Sequence, residues 1–170
     1  MEFFKVVLTC ITASIIYGII HDQVTAHICV EYFSIAHPMV LPLTSPTLLA
    51  FQWGVLATWW VGAGLGLGLA ASARMGSRRP LAARDLRTPI AKLLICMAVA
   101  SLLSGLLGFC LAKTHVIALS GWLALVIPPP KHSAFMADWW AHSAAYFTGI
   151  IGGLFLCVRG YRSRSSIQPS

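Results

Sequence analysis

Charged residues are scarce in this sequence. Only 10% of its 170 residues are charged, whereas 58% are hydrophobic. A soluble domain carries about 25% charged residues, so there is too little charge here to cover a water-exposed surface. The shortage excludes a soluble globular protein and leaves no room for a separate soluble domain. We therefore predict an integral membrane protein.

Paired cysteines are also missing. The five cysteines are odd in number and form no CxxC motif, which argues against a disulfide framework. Four of them fall in apolar segments, where cysteine usually serves as a small buried residue. Cys29 is the exception, because it lies among histidines.

The common signatures of catalysis are absent too. The sequence contains no HExxH, no P-loop and no GxSxG. It lacks the repeated HxxxH and HxxHH boxes of membrane desaturases and hydroxylases, and the CxxCH of attached haem. A haem held between His21 and His142 stays geometrically possible. The motifs alone assign no reaction.

Long apolar segments are what the chain does contain. A helix of about 20 apolar residues crosses a bilayer, and four segments meet this requirement: 3–20 (with a possible extension to 34), 47–72, 89–112 and 133–158. No small-residue cleavage site follows Ile20, so we expect an uncleaved first span. These segments predict an all-α integral membrane protein, an antiparallel four-transmembrane-helix bundle that forms a single membrane domain over residues 1–170.

The stretch 113–132 is apolar as well, but Gly121 interrupts it and three prolines end it. We expect a short interfacial segment there. Beyond Arg164 we expect a disordered polar tail.

Basic residues set the predicted orientation. Nine of the twelve Lys and Arg flank the second, third and fourth spans: Arg74, Arg78, Arg79, Arg84, Arg87, Lys92, Arg159, Arg162 and Arg164. They lack the interleaved aromatics of a nucleic-acid platform, so no nucleic-acid partner is expected. The positive-inside rule instead predicts a protein of the inner (cytoplasmic) membrane with both termini cytoplasmic. Its partner is the lipid bilayer, including anionic headgroups.

This orientation gathers the histidines on one side. All six fall in outer loops or the outer half of a span: His21, His27, His37, His115, His132 and His142. Three of the five acids share that side: Asp22, Glu31 and Asp138. Because histidine does not determine topology, the grouping is independent of the positive-inside rule and indicates a polar site near the outer face.

The fourth span carries two ionisable groups within the membrane. Asp138 and His142 are spaced i,i+4 and share one helix face, and such groups at membrane depth usually have a partner or a function. We predict a site for Zn, Fe, Mn or Cu with these ligands: His21, Asp22, Glu31, Asp138 and His142. Four further residues are predicted to support the ligands: His27, Cys29, His37 and Tyr146.

Simpler interpretations stay open. Asp138 and His142 can form an interhelical ion pair or hydrogen bond, while His21 and Asp22 can merely end a helix in the headgroup layer. The protein would then be a structural or assembly subunit without chemistry. A third hypothesis is a small proton-coupled transporter that acts as a homo-oligomer, with the glycine-rich second span allowing helix movement.

Two blocks carry a family resemblance: HDQVTAHICVEYFSIAHP (21–38) and ADWWAHSAAY (137–146). They resemble those of a family of small, uncharacterised multi-pass bacterial membrane proteins, and the likeness extends from the first helix to the fourth. The resemblance implies a four-helix membrane architecture and marks both blocks as distinctive. It implies no substrate.

Overall fold

The computed structural model describes residues 1–164, and the expected tail lies outside them. Within this range the chain is helical and contains no strand, which confirms the all-α prediction. The helices are α1 (Glu2–Ile28), α2 (Val30–Ser34), α3 (Pro46–Leu56), α4 (Trp59–Arg74), α5 (Ala83–Lys113), α6 (Gly121–Val126) and α7 (His132–Arg162), with a 3-10 turn at Pro129–Lys131.

Four helical segments are long and apolar enough to cross a membrane. They are Glu2–Ile28, Pro46–Arg74, Ala83–Lys113 and Pro129–Arg162. The predicted four-helix architecture is therefore confirmed. The connection before α7 contains only the six-residue α6 and the 3-10 turn, which are too short to span a bilayer.

The long helices pack as two antiparallel pairs. α1 packs closely along α3 and α4, and α5 packs closely along α7, whereas the contacts between the two pairs are sparser. Side chains of both pairs line a narrow central cavity. α1 and α7 approach each other across this cavity, and that relationship positions the candidate site.

Glycines allow α1 to lie almost backbone to backbone against its partner span. A methyl group added at Gly62 would lie 2.8 Å from the Cys10 carbonyl oxygen, and one at Gly54 would lie 2.6 Å from the Ile19 Cα. Small residues commonly allow such close approach in membrane bundles. By contrast, a methyl group added at Gly64 would have nothing within 4 Å.

The second span is interrupted at Ala57 and Thr58, between α3 and α4. The Thr58 hydroxyl donates to the Gly54 carbonyl at 2.5 Å, and the Tyr146 hydroxyl donates to the Ala57 carbonyl at 3.3 Å. Irregular backbone at membrane depth is tolerated where it is buried in protein or lines a cavity. Both Ala57 and Thr58 line the central cavity.

One end of the bundle is fastened by polar groups. The Glu2 carboxylate accepts a hydrogen bond from the Ala83 amide at 3.2 Å, so α1 and α5 begin side by side. The buried Arg164 guanidinium donates to four carbonyl oxygens at the end of α4 and in the following loop, those of Ser72, Met75, Arg78 and Arg79. The chain start, the α4–α5 loop and the end of α7 therefore lie together.

Candidate metal centre

Three of the predicted ligands come together at the other end of the bundle. His21 and Asp22 lie near the end of α1, and His142 lies in the third turn of α7. One ligand atom from each lies within 4.8 Å of the others. Asp22 is 5% exposed and His142 is 8% exposed, so these two side chains are buried, whereas His21 is half-buried.

Asp22 and His142 form the closest contact of the group. His142 Nε2 lies 3.2 Å from Asp22 Oδ1. The other ring nitrogen, Nδ1, lies 2.8 Å from the Asp138 backbone carbonyl. Because a carbonyl oxygen can only accept, Nδ1 must carry the proton of the neutral ring. Nε2 then presents a lone pair to a carboxylate oxygen, and this arrangement requires a proton or a metal cation between the two acceptors.

His21 completes the group with an unused nitrogen. Its Nε2 is buried and has no hydrogen-bond partner among residues 1–164. Its ring centroid lies 4.5 Å from that of His142, in an edge-on orientation. Tyr17 stacks against the same ring at 5.7 Å. Buried polar atoms usually have a partner, so this nitrogen is available for a ligand.

The spacing of the Asp22 and His142 atoms fits metal coordination, and the His21 ligand atom lies within 4.8 Å of both. Zinc binds imidazole nitrogen and carboxylate oxygen at about 2.0–2.2 Å. Two such atoms 3.2 Å apart would subtend an angle of about 100° at a shared ion, near the tetrahedral range. The hydrogen bond from His142 Nδ1 to a carbonyl is the kind that orients metal-binding histidines.

Aromatic side chains of α2 enclose His142 on one side. The Tyr32 ring stacks on the imidazole with centroids 4.5 Å apart, and Phe33 meets it edge-on at 5.6 Å. His37 packs against Phe33 and Trp53. Its Nδ1 donates to the Tyr32 carbonyl at 2.7 Å. Burial lowers the pKa of His37 below its usual value, which favours a neutral ring.

Glu31 lies outside the three-residue group. Its carboxylate accepts from the Cys29 thiol at 3.4 Å and lies 3.9 Å from the Lys131 ammonium. Burial raises the pKa of Cys29 to about 12, so the thiol keeps its proton and remains a donor. The ligand role of Glu31 stays a prediction.

Asp138 is the least satisfied polar side chain in this region. It is fully buried, and neither carboxylate oxygen has a hydrogen-bond partner within residues 1–164. Its backbone carbonyl holds His142, but its carboxylate does not belong to the three-residue group. The ligand role of Asp138 also stays a prediction.

The remaining predicted residues divide between the cavity and the surface. His37 and Tyr146 line the cavity beside His142. His27 is exposed. Its ring contacts the Gln23 carbonyl in α1 and the Thr47 hydroxyl in α3.

Sequence reasoning missed the aromatic residues that surround the site. Tyr17 precedes His21 by one helical turn, and this i,i+4 spacing could have identified it. No sequence signal brings Tyr32 or Trp53 to the histidines, because their positions depend on how α2 folds against α3 and α7.

The central cavity extends from this group into the bundle. Its volume is about 120 Å³, and it reaches from His21, Asp22 and His142 down to Cys10 and Leu69. The fold and site thus define a class, a helical bundle with membrane-spanning dimensions and a shielded histidine–carboxylate group. No family model, curated protein or solved structure matches the chain, so the family resemblance stays a prediction.

Proposed function

We propose that this protein is a multi-pass inner-membrane protein that binds a transition metal near its outer face. His21, Asp22 and His142 supply the protein ligands. Two imidazoles and one carboxylate suit Zn²⁺, and they also suit Fe²⁺ in sites that keep open positions. Mn and Cu remain candidates that metal competition would separate.

The observation that carries the proposal is that two hydrogen-bond acceptors, His142 Nε2 and Asp22 Oδ1, face each other with no donor between them. His142 Nε2 faces Asp22 Oδ1 at 3.2 Å while its Nδ1–H is committed to the Asp138 carbonyl. A ring nitrogen of His21 lies within 4.8 Å of both atoms, and the buried His21 Nε2 has no hydrogen-bond partner in the described chain. A divalent cation bound by the three residues would supply the missing partner.

The arrangement of charges supports the proposed orientation. The chain start, the α4–α5 loop and the end of α7 share one end of the bundle, and most of the basic residues follow or precede the spans there. The positive-inside rule makes this end cytoplasmic. The metal group, at the far end of α1, then lies toward the outer face.

Elemental analysis of the purified full-length protein tests the proposal. Wild-type protein from metal-replete cells is expected to carry about one ion per chain, as expected of a three-ligand mononuclear site. Asp22→Asn and His142→Ala should lose it, whereas His27→Ala serves as the matched control because His27 is exposed outside the group. Wild-type protein that is free of metal under these conditions contradicts the proposal.

A structural subunit is the second candidate, and one observation favours it. The 3.2 Å contact also suits an imidazolium–carboxylate ion pair that would hold α1 to α7 without metal. If this alternative holds, the wild-type protein carries no metal, and His142→Ala is less stable than the wild type. The proton-coupled transporter stays a prediction.

A further inference from the structure

We infer that the outward-facing groove between α5 and α7 binds one anionic glycerophospholipid from the leaflet at the basic end of the bundle. The lipid phosphate would lie between Lys92 and Arg159, and one acyl chain would lie along the apolar face of α7. This lipid site shares no residue with the candidate metal centre and does not depend on a bound metal.

The groove has the length and the volume of a lipid site. It runs along α7 from Phe147 to Arg159, a distance of about 18 Å at 1.5 Å per residue. One leaflet of a hydrocarbon core about 30 Å thick measures about 15 Å. The volume of the groove is about 740 Å³, within the range of about 300–1,000 Å³ that is typical of small-molecule sites. The groove therefore extends over the depth of one leaflet.

The wall that α7 contributes is apolar until the basic end. Phe147, Ile151 and Phe155 line the groove and are spaced i,i+4 on one face of the helix. Each of the three side chains is more than half exposed, so this face is accessible to an acyl chain. Arg159 continues the same spacing and ends the apolar face with a positive charge.

Lys92 and Arg159 converge on one region of the groove. Leu93 packs on Gly152, so Lys92 lies one residue and Arg159 seven residues from this contact, both toward the basic end. The two Cα atoms are therefore offset along the helices by about 9 Å. A Cα–Cβ bond tilts toward the N-terminus of its own helix. Because α5 and α7 are antiparallel, the two basic side chains lean toward each other along the groove.

The charge in this region is unbalanced. Neither Lys92 nor Arg159 has an acidic partner within residues 1–164. Asp85 also lines the groove, but its carboxylate accepts from the Ala82 amide at 2.9 Å and lies 3.7 Å from Arg84 Nε. Charged side chains in spanning segments usually pair, and basic pockets between spanning helices bind anionic lipid headgroups. A lipid phosphate would supply the missing negative charge.

Another outward-facing groove provides the comparison. It lies between α1 and α5 and is lined by exposed apolar side chains that include Ile20 and Leu102. None of its lining residues in the described chain is a lysine or an arginine. We therefore expect lipids to occupy that groove without regard to the charge of their headgroups.

Photolabelling in phosphatidylcholine nanodiscs tests the inference on the full-length protein. The probes are phosphatidylglycerol and phosphatidylcholine, each with a diazirine on one acyl chain and each added as a minor component. We expect phosphatidylglycerol to label Ile151 and Phe155 roughly thirtyfold more than phosphatidylcholine does, as two basic residues near a phosphate predict. Both probes should label Ile20 and Leu102 equally.

Neutral variants identify the residues that select the headgroup. Lys92→Gln and Arg159→Gln should each lower the preference for phosphatidylglycerol about fivefold. Arg87→Gln and Arg162→Gln are the matched controls, because these arginines are exposed on the same two helices outside the groove. Each control removes one positive charge, as the groove variants do, and should keep the preference.

Each outcome decides the inference without reference to the metal. Equal labelling of Ile151 and Phe155 by the two probes overturns it. An equal loss of preference in the groove variants and the controls also overturns it, since the lipid would then be attracted only by the general charge of this end. A groove that takes no probe because it is covered by a second copy of the chain overturns it as well. If a variant does not fold, the ratio of the two probes at the two grooves of the wild-type protein decides the matter.

Discussion

His142 and Asp22 join α7 to α1 near one end of the bundle, with Nε2 and Oδ1 3.2 Å apart although the residues are 120 positions apart in the chain. Both side chains are almost fully buried. A buried charge that loses its partner is strongly destabilising. The pair therefore links the stability of the fold to whatever proton or cation lies between the two atoms.

Metal binding should raise the stability of the wild-type protein. A ligand at 100 times its Kd stabilises the folded state by about 2.7 kcal/mol. We expect chelation to lower the Tm of purified wild-type protein in detergent and zinc to restore it. His142→Ala should show no response to either treatment, whereas His27→Ala should respond like the wild type. A chelation shift that persists in His142→Ala would place the metal elsewhere.

Asp138→Asn should preserve metal binding and leave stability unchanged or higher. The Asp138 carboxylate is fully buried without a hydrogen-bond partner in the described chain, and it lies outside the three-residue group. Burying an unsatisfied polar group is costly, and burying its charged form costs more. Asn keeps the size of the side chain and cannot ionise.

The matched comparison for this prediction is Asp22→Asn, which makes the same chemical change within the group. Metal content and thermal unfolding of the two variants should therefore differ. Loss of metal in Asp138→Asn would instead make Asp138 a ligand, as the sequence predicts.

The helices and part of the site could be predicted because both depend on local patterns. Apolar length alone indicated four spanning helices, and the grouping of histidines on one side drew attention to His21, Asp22 and His142. The i,i+4 spacing of Asp138 and His142 correctly placed them on one helix. It could not show that the Asp138 backbone carbonyl, rather than its carboxylate, contacts the imidazole.

The rest depends on tertiary packing that local patterns do not encode. The sequence predicts Glu31 as a ligand but does not indicate that Lys131 and Cys29 lie beside it. The sequence indicates Arg164 only as a topology signal, whereas its guanidinium donates to four carbonyl oxygens. Such contacts join segments that are far apart in the chain, so the periodic spacing of residues in the sequence does not predict them.

Gly62→Ala should destabilise the bundle, whereas Gly64→Ala should not. The new methyl group at position 62 would lie 2.6 Å from the Ser14 hydroxyl, 2.8 Å from the Cys10 carbonyl oxygen and 2.9 Å from the Ile11 Cα. Two of these atoms are backbone, so α1 must move away from α4. Overpacking of this kind typically costs about 1–3 kcal/mol.

Gly64 is the control because it belongs to the same helix and has nothing within 4 Å of the added methyl group. Unfolding of both variants in mixed detergent micelles measures the difference. Equal midpoints for the two variants would contradict the close packing of α1 on α4.

Arg164→Ala should loosen the end of α7 from the α4–α5 loop. The guanidinium is buried and donates to four carbonyl oxygens, two of which belong to the end of α4 and its cap. A hydrogen bond that involves a charged group contributes about 1.5–3 kcal/mol, so we expect a loss of at least about 2 kcal/mol. Arg162→Ala is the control, because Arg162 is exposed two residues earlier.

Hydrogen exchange of the α4–α5 loop measures the same change locally. Faster exchange in Arg164→Ala than in Arg162→Ala is the expected result. Identical exchange in the two variants would mean that the guanidinium does not hold the loop in solution.

Acidification should destabilise the protein in part through His37. Burial lowers the pKa of this imidazole below the usual 6.5, so the unfolded chain binds its proton at a higher pH than the folded chain does. Stability attributable to His37 is therefore present above pH 6.5 and is lost as the pH falls below it, by at most about 1.4 kcal/mol per pH unit.

His37→Asn removes this titration, and its amide offers a donor to the Tyr32 carbonyl that His37 Nδ1 contacts. We expect unfolding midpoints at pH 7.5 and pH 5 to differ less in this variant than in the wild type. His115→Asn is the control, since His115 is exposed and its φ of 58° suits asparagine. If wild type and His37→Asn lose stability in parallel while the pH falls, the ring is not held neutral by its burial.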